Sequence, residues 1–228
     1  MQIISDPNIP RVNLDFSEIK DYPVWEIEKI AHDILCKLSD PPFSIPIDVE
    51  YLAEGILKFP IDTRDYIEEK YATTGVCWRN EPGSYIIIID TKIFDTAENF
   101  SRFTIAEEIG HIMLHESVMD KIRNIEDVAQ FHKWEKYHDI DHNGKRFAAA
   151  LLIPKNNLIN SSENLYPLFA DEDGFSNLNA IKKGMTIKLS REYLVSREVM
   201  KHRLNHHPMK IFDRVDRSFV RKSLNLMS

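Results

Sequence analysis

The segment from Arg102 to His115 constrains the fold more than any other part of the chain. Its apolar residues lie on nearly every side of a helix, as expected inside a core, yet it also carries Glu107, Glu108, His111 and His115. Side chains four residues apart share a helix face, so Glu107, His111 and His115 form one stripe. Carboxylates and imidazoles are costly to bury unless they are paired or metal-bound. The segment therefore predicts a buried helix with metal-ligand side chains.

Five residues of this segment, Glu107 to His111, nearly match the pattern H-E-x-x-H, in which two histidines bind zinc and the glutamate is the general base. Glu107 stands where the first histidine is expected. A carboxylate oxygen can replace an imidazole, because it binds zinc at about 2.0–2.2 Å. Its added negative charge lowers the Lewis acidity of the ion. A purely structural alternative puts both carboxylates near the helix surface and makes His111 and His115 hydrogen-bonded core residues.

A second helix is predicted from Lys145 to the stop at Pro154. Asp141 falls on the same face as the core positions Gly144, Ala148 and Leu151. An acid at that place, on a second buried helix, is the expected kind of third metal ligand. The small residues of this face predict close packing against the helix that carries Gly110.

The rest of the first 160 residues predicts an α+β fold. A helix is expected over Pro23–Leu38 and strands over Ile56–Phe59, Gly75–Arg79 and Tyr85–Asp90. The consecutive isoleucines of the last strand predict burial on both faces. We therefore expect a small mixed β-sheet packed on a central active-site helix and further helices, as in a minimal zincin-like metallopeptidase. If Tyr85–Asp90 were an edge strand, it could also hold an extended substrate by backbone pairing.

Two motifs in order, Arg102–His115 and Phe147–Pro154, with the strands before them, resemble the ImmA/IrrE family of metallopeptidases. The likeness covers roughly Pro23 to Leu204. It implies a zinc-dependent endopeptidase that cleaves a helix-turn-helix transcriptional repressor and so lifts repression after stress or within mobile elements.

Carried over position by position, the resemblance puts the metal ligands at Glu107, His111 and Asp141 and the general base at Glu108. Two of the three ligand positions depart from the family pattern, and Gly144-Lys145 replaces its usual Ala-Asn. Two carboxylates and one neutral imidazole cancel the charge of a dication, so a carbonyl bound to it is polarised less. Such an oxygen-rich set suits Mn²⁺ or Fe²⁺ as well as Zn²⁺. The alternative that the site holds no metal stays open.

Other histidines give further alternatives. His111 and His115 with either Glu107 or His142 form another ligand set, although three consecutive turns converge poorly on one ion. His115 is expected mainly to support the site. His138 precedes the Asp141 helix and is a weak candidate for oxyanion support.

Composition limits the remaining possibilities. The 228 residues have a net charge of −7, which argues against general affinity for nucleic acid or anionic membranes. The two cysteines give no disulfide framework, and neither a signal-peptide pattern nor a membrane span is apparent, so we expect a cytoplasmic protein. Substrate identity, activating signal and oligomeric state are not predicted.

The chain is expected to divide into a metallopeptidase domain over residues 1–160 and a small helix-turn-helix-like appendage with a basic tail over 161–228. Arg197, Lys201 and Arg203 line one predicted helix of the appendage, which makes direct DNA binding an alternative function. A further alternative is a catalytically impaired relative that binds a repressor or other partner without hydrolysis.

Overall fold

The structure, a computed structural model, describes residues 19–81, 84–172, 177–206 and 208–226. Its strands are β1 (Ile61–Arg64), β2 (Gly75–Glu81) and β3 (Ser84–Asp90). Its helices are α1 (Val24–Leu35), α2 (Val49–Tyr51, continued as a π-helix over Leu52–Leu57), α3 (Ile67–Tyr71), α4 (Thr91–Thr96), α5 (Glu98–Leu114), α6 (Glu116–Met119), α7 (Ile125–Phe131), α8 (Tyr137–Leu152), α9 (Lys155–Glu172), α10 (Leu178–Glu192), α11 (Arg197–Asn205) and α12 (Ile211–Leu226). The predicted α+β class with a small mixed sheet is confirmed.

The central strand of the sheet is β3. It pairs in parallel with β1, where Ile61 lies beside Ile87, and antiparallel with β2, where Cys77 lies beside the same residue. The side chains of Ile87, Ile88 and Ile89 are fully buried, as the run of isoleucines predicts. Because neighbours occupy both sides of β3, the idea that this strand holds a substrate at an edge is wrong. An edge next to the candidate site belongs to β2 instead.

Two predicted elements are wrong, one in its type and the other in its starting residue. The stretch Ile56–Phe59 is not a strand, because the π-helix runs through Leu57 and the Phe59 amide donates back to the Ala53 carbonyl. The helix predicted from Lys145 begins earlier, at Tyr137. Ile140 is fully buried and extends the apolar face by a further turn, which explains the earlier start.

The core is built around α5, which contacts β2 and β3 and packs closely against α8; α1 also packs on α8. Gly110 makes the contact between α5 and α8 possible. A Cβ atom at Gly110 would lie 2.9 Å from Cδ1 of Phe147, closer than real contacts allow. The predicted close packing of the two helices through small residues is therefore confirmed.

The C-terminal helices pack onto this core. Ser196 caps the N-terminus of α11, and its hydroxyl accepts a hydrogen bond from the Val199 amide at 3.1 Å. The guanidinium of Arg203, on α11, is buried against Glu28 of α1 and the Ile153 carbonyl at the end of α8. Arg203 is therefore not displayed for DNA. The division after residue 160 stays a prediction, and α9 runs across it.

Candidate metallopeptidase site

The site is a cavity of about 360 Å³ between α5, α8 and the first residues of β2. Its polar lining side chains include all four predicted site residues and two others on α8: Glu107, Glu108, His111, Tyr137, Asp141 and Lys145. The lining thus includes the predicted residues of α5 together with Asp141 from the second helix. Their roles as ligands and base stay predictions.

Helix α5 places its two glutamates differently. Glu108 is buried, with 7% of its surface exposed, and Glu107 is half-buried. The structural alternative that puts both carboxylates near the surface does not describe Glu108. Both glutamates face the cavity because α5 is covered on one side by β2 and on another by α8.

The environment raises the pKa of both carboxyls. Burial raises the pKa of Glu108 to about 7, with the charge of Asp141 adding to the effect and a hydrogen bond from Cys77 opposing it. Burial, then the charges of Glu108 and Asp141, raise the pKa of Glu107 to about 8, against the opposing charge of Lys145. A carboxyl with a pKa near 7 can both take and return a proton at neutral pH, as a general base must.

His111 presents a neutral imidazole to the same space. Burial lowers its pKa to about 3, and the charge of His115 contributes in the same direction. Its Nδ1 atom is buried without a hydrogen-bond partner among the described residues. Gly144 leaves room for the ring, because a Cβ atom there would lie 2.6 Å from Cε1 of His111. The backbone of Gly144 therefore packs directly against the His111 ring.

Asp141 is paired within its own helix. The Lys145 Nζ lies 2.7 Å from the Asp141 Oδ2, and 17% of the Asp141 side chain is exposed. Burial lowers the pKa of Lys145, but the hydrogen bond to Asp141 and the charge of Glu107 outweigh it, so the pKa is raised overall. A lysine ammonium therefore lies beside the carboxylate predicted to be the third ligand.

The alternative ligands lie elsewhere. His115 ends α5 outside the helix, is buried, and meets Tyr22 edge to face with ring centroids 5.6 Å apart. The rings of His142 and His138 are nearly parallel, with their centroids 6.3 Å apart, and neither ring lines the cavity. His115 also does not line it, so the alternative set is not brought together. His138 is exposed, and its suggested oxyanion role is not supported by its position.

The cavity lining also includes polar residues that the sequence does not predict for the site, among them Tyr137, His132 and Cys77. Burial and the charge of Asp141 raise the pKa of Tyr137, so its hydroxyl stays protonated and can donate a hydrogen bond. Tyr137 lies four residues before Asp141, so the two share a face of α8. The sequence indicates this only if the helix is known to begin at Tyr137. His132 directly follows the last residue of α7, and Cys77 lies on β2. Only tertiary packing brings these two residues to the cavity.

The donor chemistry fits a divalent ion, since the carboxyl groups of Glu107 and Asp141 and the neutral imidazole of His111, whose buried Nδ1 has no hydrogen-bond partner among the described residues, line one cavity. The ligands are not gathered in advance. In the described parts of the chain, no three His, Cys, Asp or Glu side chains already converge as a metal-binding group. If an ion binds, the side chains have to close on it.

A small mixed sheet over a helix with a Glu-Glu-Ile-Gly-His sequence, and an acid from a second helix, place the protein among metallopeptidase-like α+β domains. The chain belongs to the peptidase M78 family, because the family model of the IrrE N-terminal-like domain matches residues 62–205. This confirms the resemblance inferred from the two motifs. Comparison with curated proteins found no match. Among the described helices, none combines the length and apolar character required for a membrane span.

Proposed function

We propose that the protein is a metal-dependent endopeptidase that cleaves another protein, with a helix-turn-helix repressor as the expected substrate. The observation that carries this proposal is that Glu107, Glu108, His111 and Asp141 all line one cavity in a chain of a metallopeptidase family. The repressor as substrate rests on the family resemblance.

In this proposal Glu107, His111 and Asp141 would hold a divalent ion, with Zn²⁺, Mn²⁺ and Fe²⁺ as the candidates. A bound divalent ion would polarise the scissile carbonyl and lower the pKa of the attacking water. The chain's own residues do the proton transfers. Glu108 takes a proton from the water and returns it to the leaving amine nitrogen, for which its raised pKa is suited. Tyr137 donates a hydrogen bond to the developing oxyanion.

The substrate is proposed to lie extended along β2. Gly75, Val76 and Cys77 line the cavity, and their strand has β3 on one side only. An extended peptide that adds to this edge would bring its backbone past Glu108. The exposed ring of Phe100 also lines the cavity and offers an apolar contact to a substrate side chain.

A second candidate function, partner binding without hydrolysis, is favoured by one observation. The Lys145 ammonium already pairs with Asp141 and supplies positive charge beside the carboxylates. With the lysine in that position, the cavity could bind a peptide without any metal.

The test compares the wild-type protein with Glu108→Gln in cells that contain the candidate repressors, by labelling newly formed protein N-termini. We expect a repressor fragment with the wild type and none with Glu108→Gln, because the amide cannot accept the proton. The purified wild type is also titrated with Zn²⁺ and Mn²⁺ and its metal content measured. Identical N-termini in both strains, with equal biological effect, would favour the binding function. Metal content below about a tenth of an equivalent after titration would remove the metal-dependent one.

A further inference from the structure

Lys145 is a charged residue of the cavity lining that the proposed chemistry does not use. It lies one turn beyond Asp141 on α8, and the two side chains form an ion pair at 2.7 Å. Its charge also acts on Glu107, across the cavity on α5. It thus faces two of the three proposed ligands, and its sign is that of the ion they would hold.

We propose that Lys145 is a tethered counter-ion that occupies the Asp141 carboxylate in the metal-free protein and competes with a divalent cation for it. This inference rests on the proposed metal site at Glu107, His111 and Asp141. An ammonium and a dication repel each other at contact distance, so the Asp141–Lys145 pair has to open before Asp141 can take part in binding an ion.

The side chain has a way out of the cavity. Half of the Lys145 side chain, 52%, is exposed, whereas Asp141 is largely covered. The four-carbon stem of lysine is flexible and can carry the ammonium into water without moving α8. The exchange therefore requires a side-chain rotation rather than a change of fold.

Two consequences follow for the metal-free and the metal-bound protein. Without an ion, Lys145 compensates the carboxylate charge and stabilises the cavity. With an ion, the same ammonium has to be displaced, so Lys145 lowers the affinity for the ion. Replacing it should change the two states in opposite directions.

The experiment measures Zn²⁺ and Mn²⁺ affinity by calorimetric titration, and the melting temperature in chelator, for the wild type and Lys145→Met. Removing a charge-assisted hydrogen bond that the ion has to break is expected to tighten binding by roughly tenfold or more. In chelator the variant should melt below the wild type, and added ion should reverse the order. Lys145→Asn repeats the test with a second uncharged side chain.

Lys29→Met is the matched control, because Lys29 forms an exposed pair with Asp33 one turn away on α1. Its ion affinity should stay within about twofold of the wild type, since exposed pairs contribute little. Equal ion affinity in the wild type and both Lys145 variants would overturn the inference and leave the metal site standing. Failure of every variant to bind an ion would overturn both. Tighter binding without cleavage of any protein would support the inference while refuting the proposed hydrolysis.

Discussion

Arg203→Met is expected to loosen the C-terminal helices from the rest of the protein. The Arg203 Nη2 donates to the Glu28 Oε2 at 3.0 Å and to the Ile153 carbonyl at 2.9 Å, and Nε donates to the same carbonyl at 3.2 Å. Nη1 donates to the Glu28 Oε1, which makes the ion pair bidentate. One side chain thus joins α11 to α1 and to the end of α8.

The expected magnitude follows from burial. Only 6% of the Arg203 side chain and 14% of the Glu28 side chain are exposed. Removing one member of a buried ion pair costs about 3–5 kcal/mol, because the other charge is left without a partner. Since Glu28 keeps some contact with water, we expect the lower end, about 3 kcal/mol. For a chain of this size that is a fall in melting temperature of roughly 6–12 °C.

The assay is urea unfolding followed by circular dichroism, with the melting temperature measured in parallel. Lys29→Met, which removes an exposed pair with Asp33 on the same α1, is the control and should cost at most about 0.5 kcal/mol. A double variant, Arg203→Met with Glu28→Met, should recover part of the loss, because no unpaired charge remains. Equal stability of Arg203→Met and Lys29→Met would refute the argument and show that α11 is not anchored by this pair.

Two further perturbations act on the site itself. Gly144→Ala places a methyl group 2.6 Å from the His111 ring. Overpacking costs about 1–3 kcal/mol, and the higher helix propensity of alanine offsets about 1 kcal/mol of this. We therefore expect urea unfolding to show a free energy of unfolding lower by up to about 2 kcal/mol. Gly55→Ala is its control, because the Tyr51 ring that it meets is exposed and can move away, and equal losses in the two variants would contradict the tight fit over His111. In chelator, stability should fall as pH rises from about 5 to about 8 and then level off. The unfolded carboxyls ionise near pH 4.5, whereas burial raises the pKa of Glu107 to about 8 and that of Glu108 to about 7 in the folded protein. Glu108→Gln should reduce this fall in a series of melting curves, and an unchanged pH dependence would show that Glu108 is not the group responsible.

Local periodicity relates the candidate site residues to one another more directly than it predicts the elements around them. Glu107, Glu108 and His111 are fixed relative to one another by helical periodicity, which is a local property. Asp141 could be placed from its face on a second helix. The strand at Ile56–Phe59 was mispredicted because a short apolar run fits a strand or a helical turn equally well, and the choice of a π-helix there depends on packing.

The parts that could not be predicted are contacts between distant segments. Arg203 looked like a candidate for DNA because its charge is visible in the sequence and its partner Glu28 is not. The pairing of Lys145 with Asp141 is predictable, because the two residues are four apart on a helix. Its functional importance depends on the cavity that both residues line. Tertiary structure decides whether such a pair is a surface contact or part of a site.

The departures from the family pattern also compensate one another in the structure. Glu107 adds an acidic group to the cavity, and Lys145 adds a positive charge that favours the ionised form of that group. Asp141 shortens one acidic side chain, and Gly144 removes the methyl that would otherwise strike His111. If the site had only lost its function, the charges of Glu107 and Lys145 and the volumes of Asp141 and Gly144 would have no reason to compensate one another. A cavity that still has to hold its carboxylates in place does give such a reason, whether the positive charge comes from an ion or from Lys145.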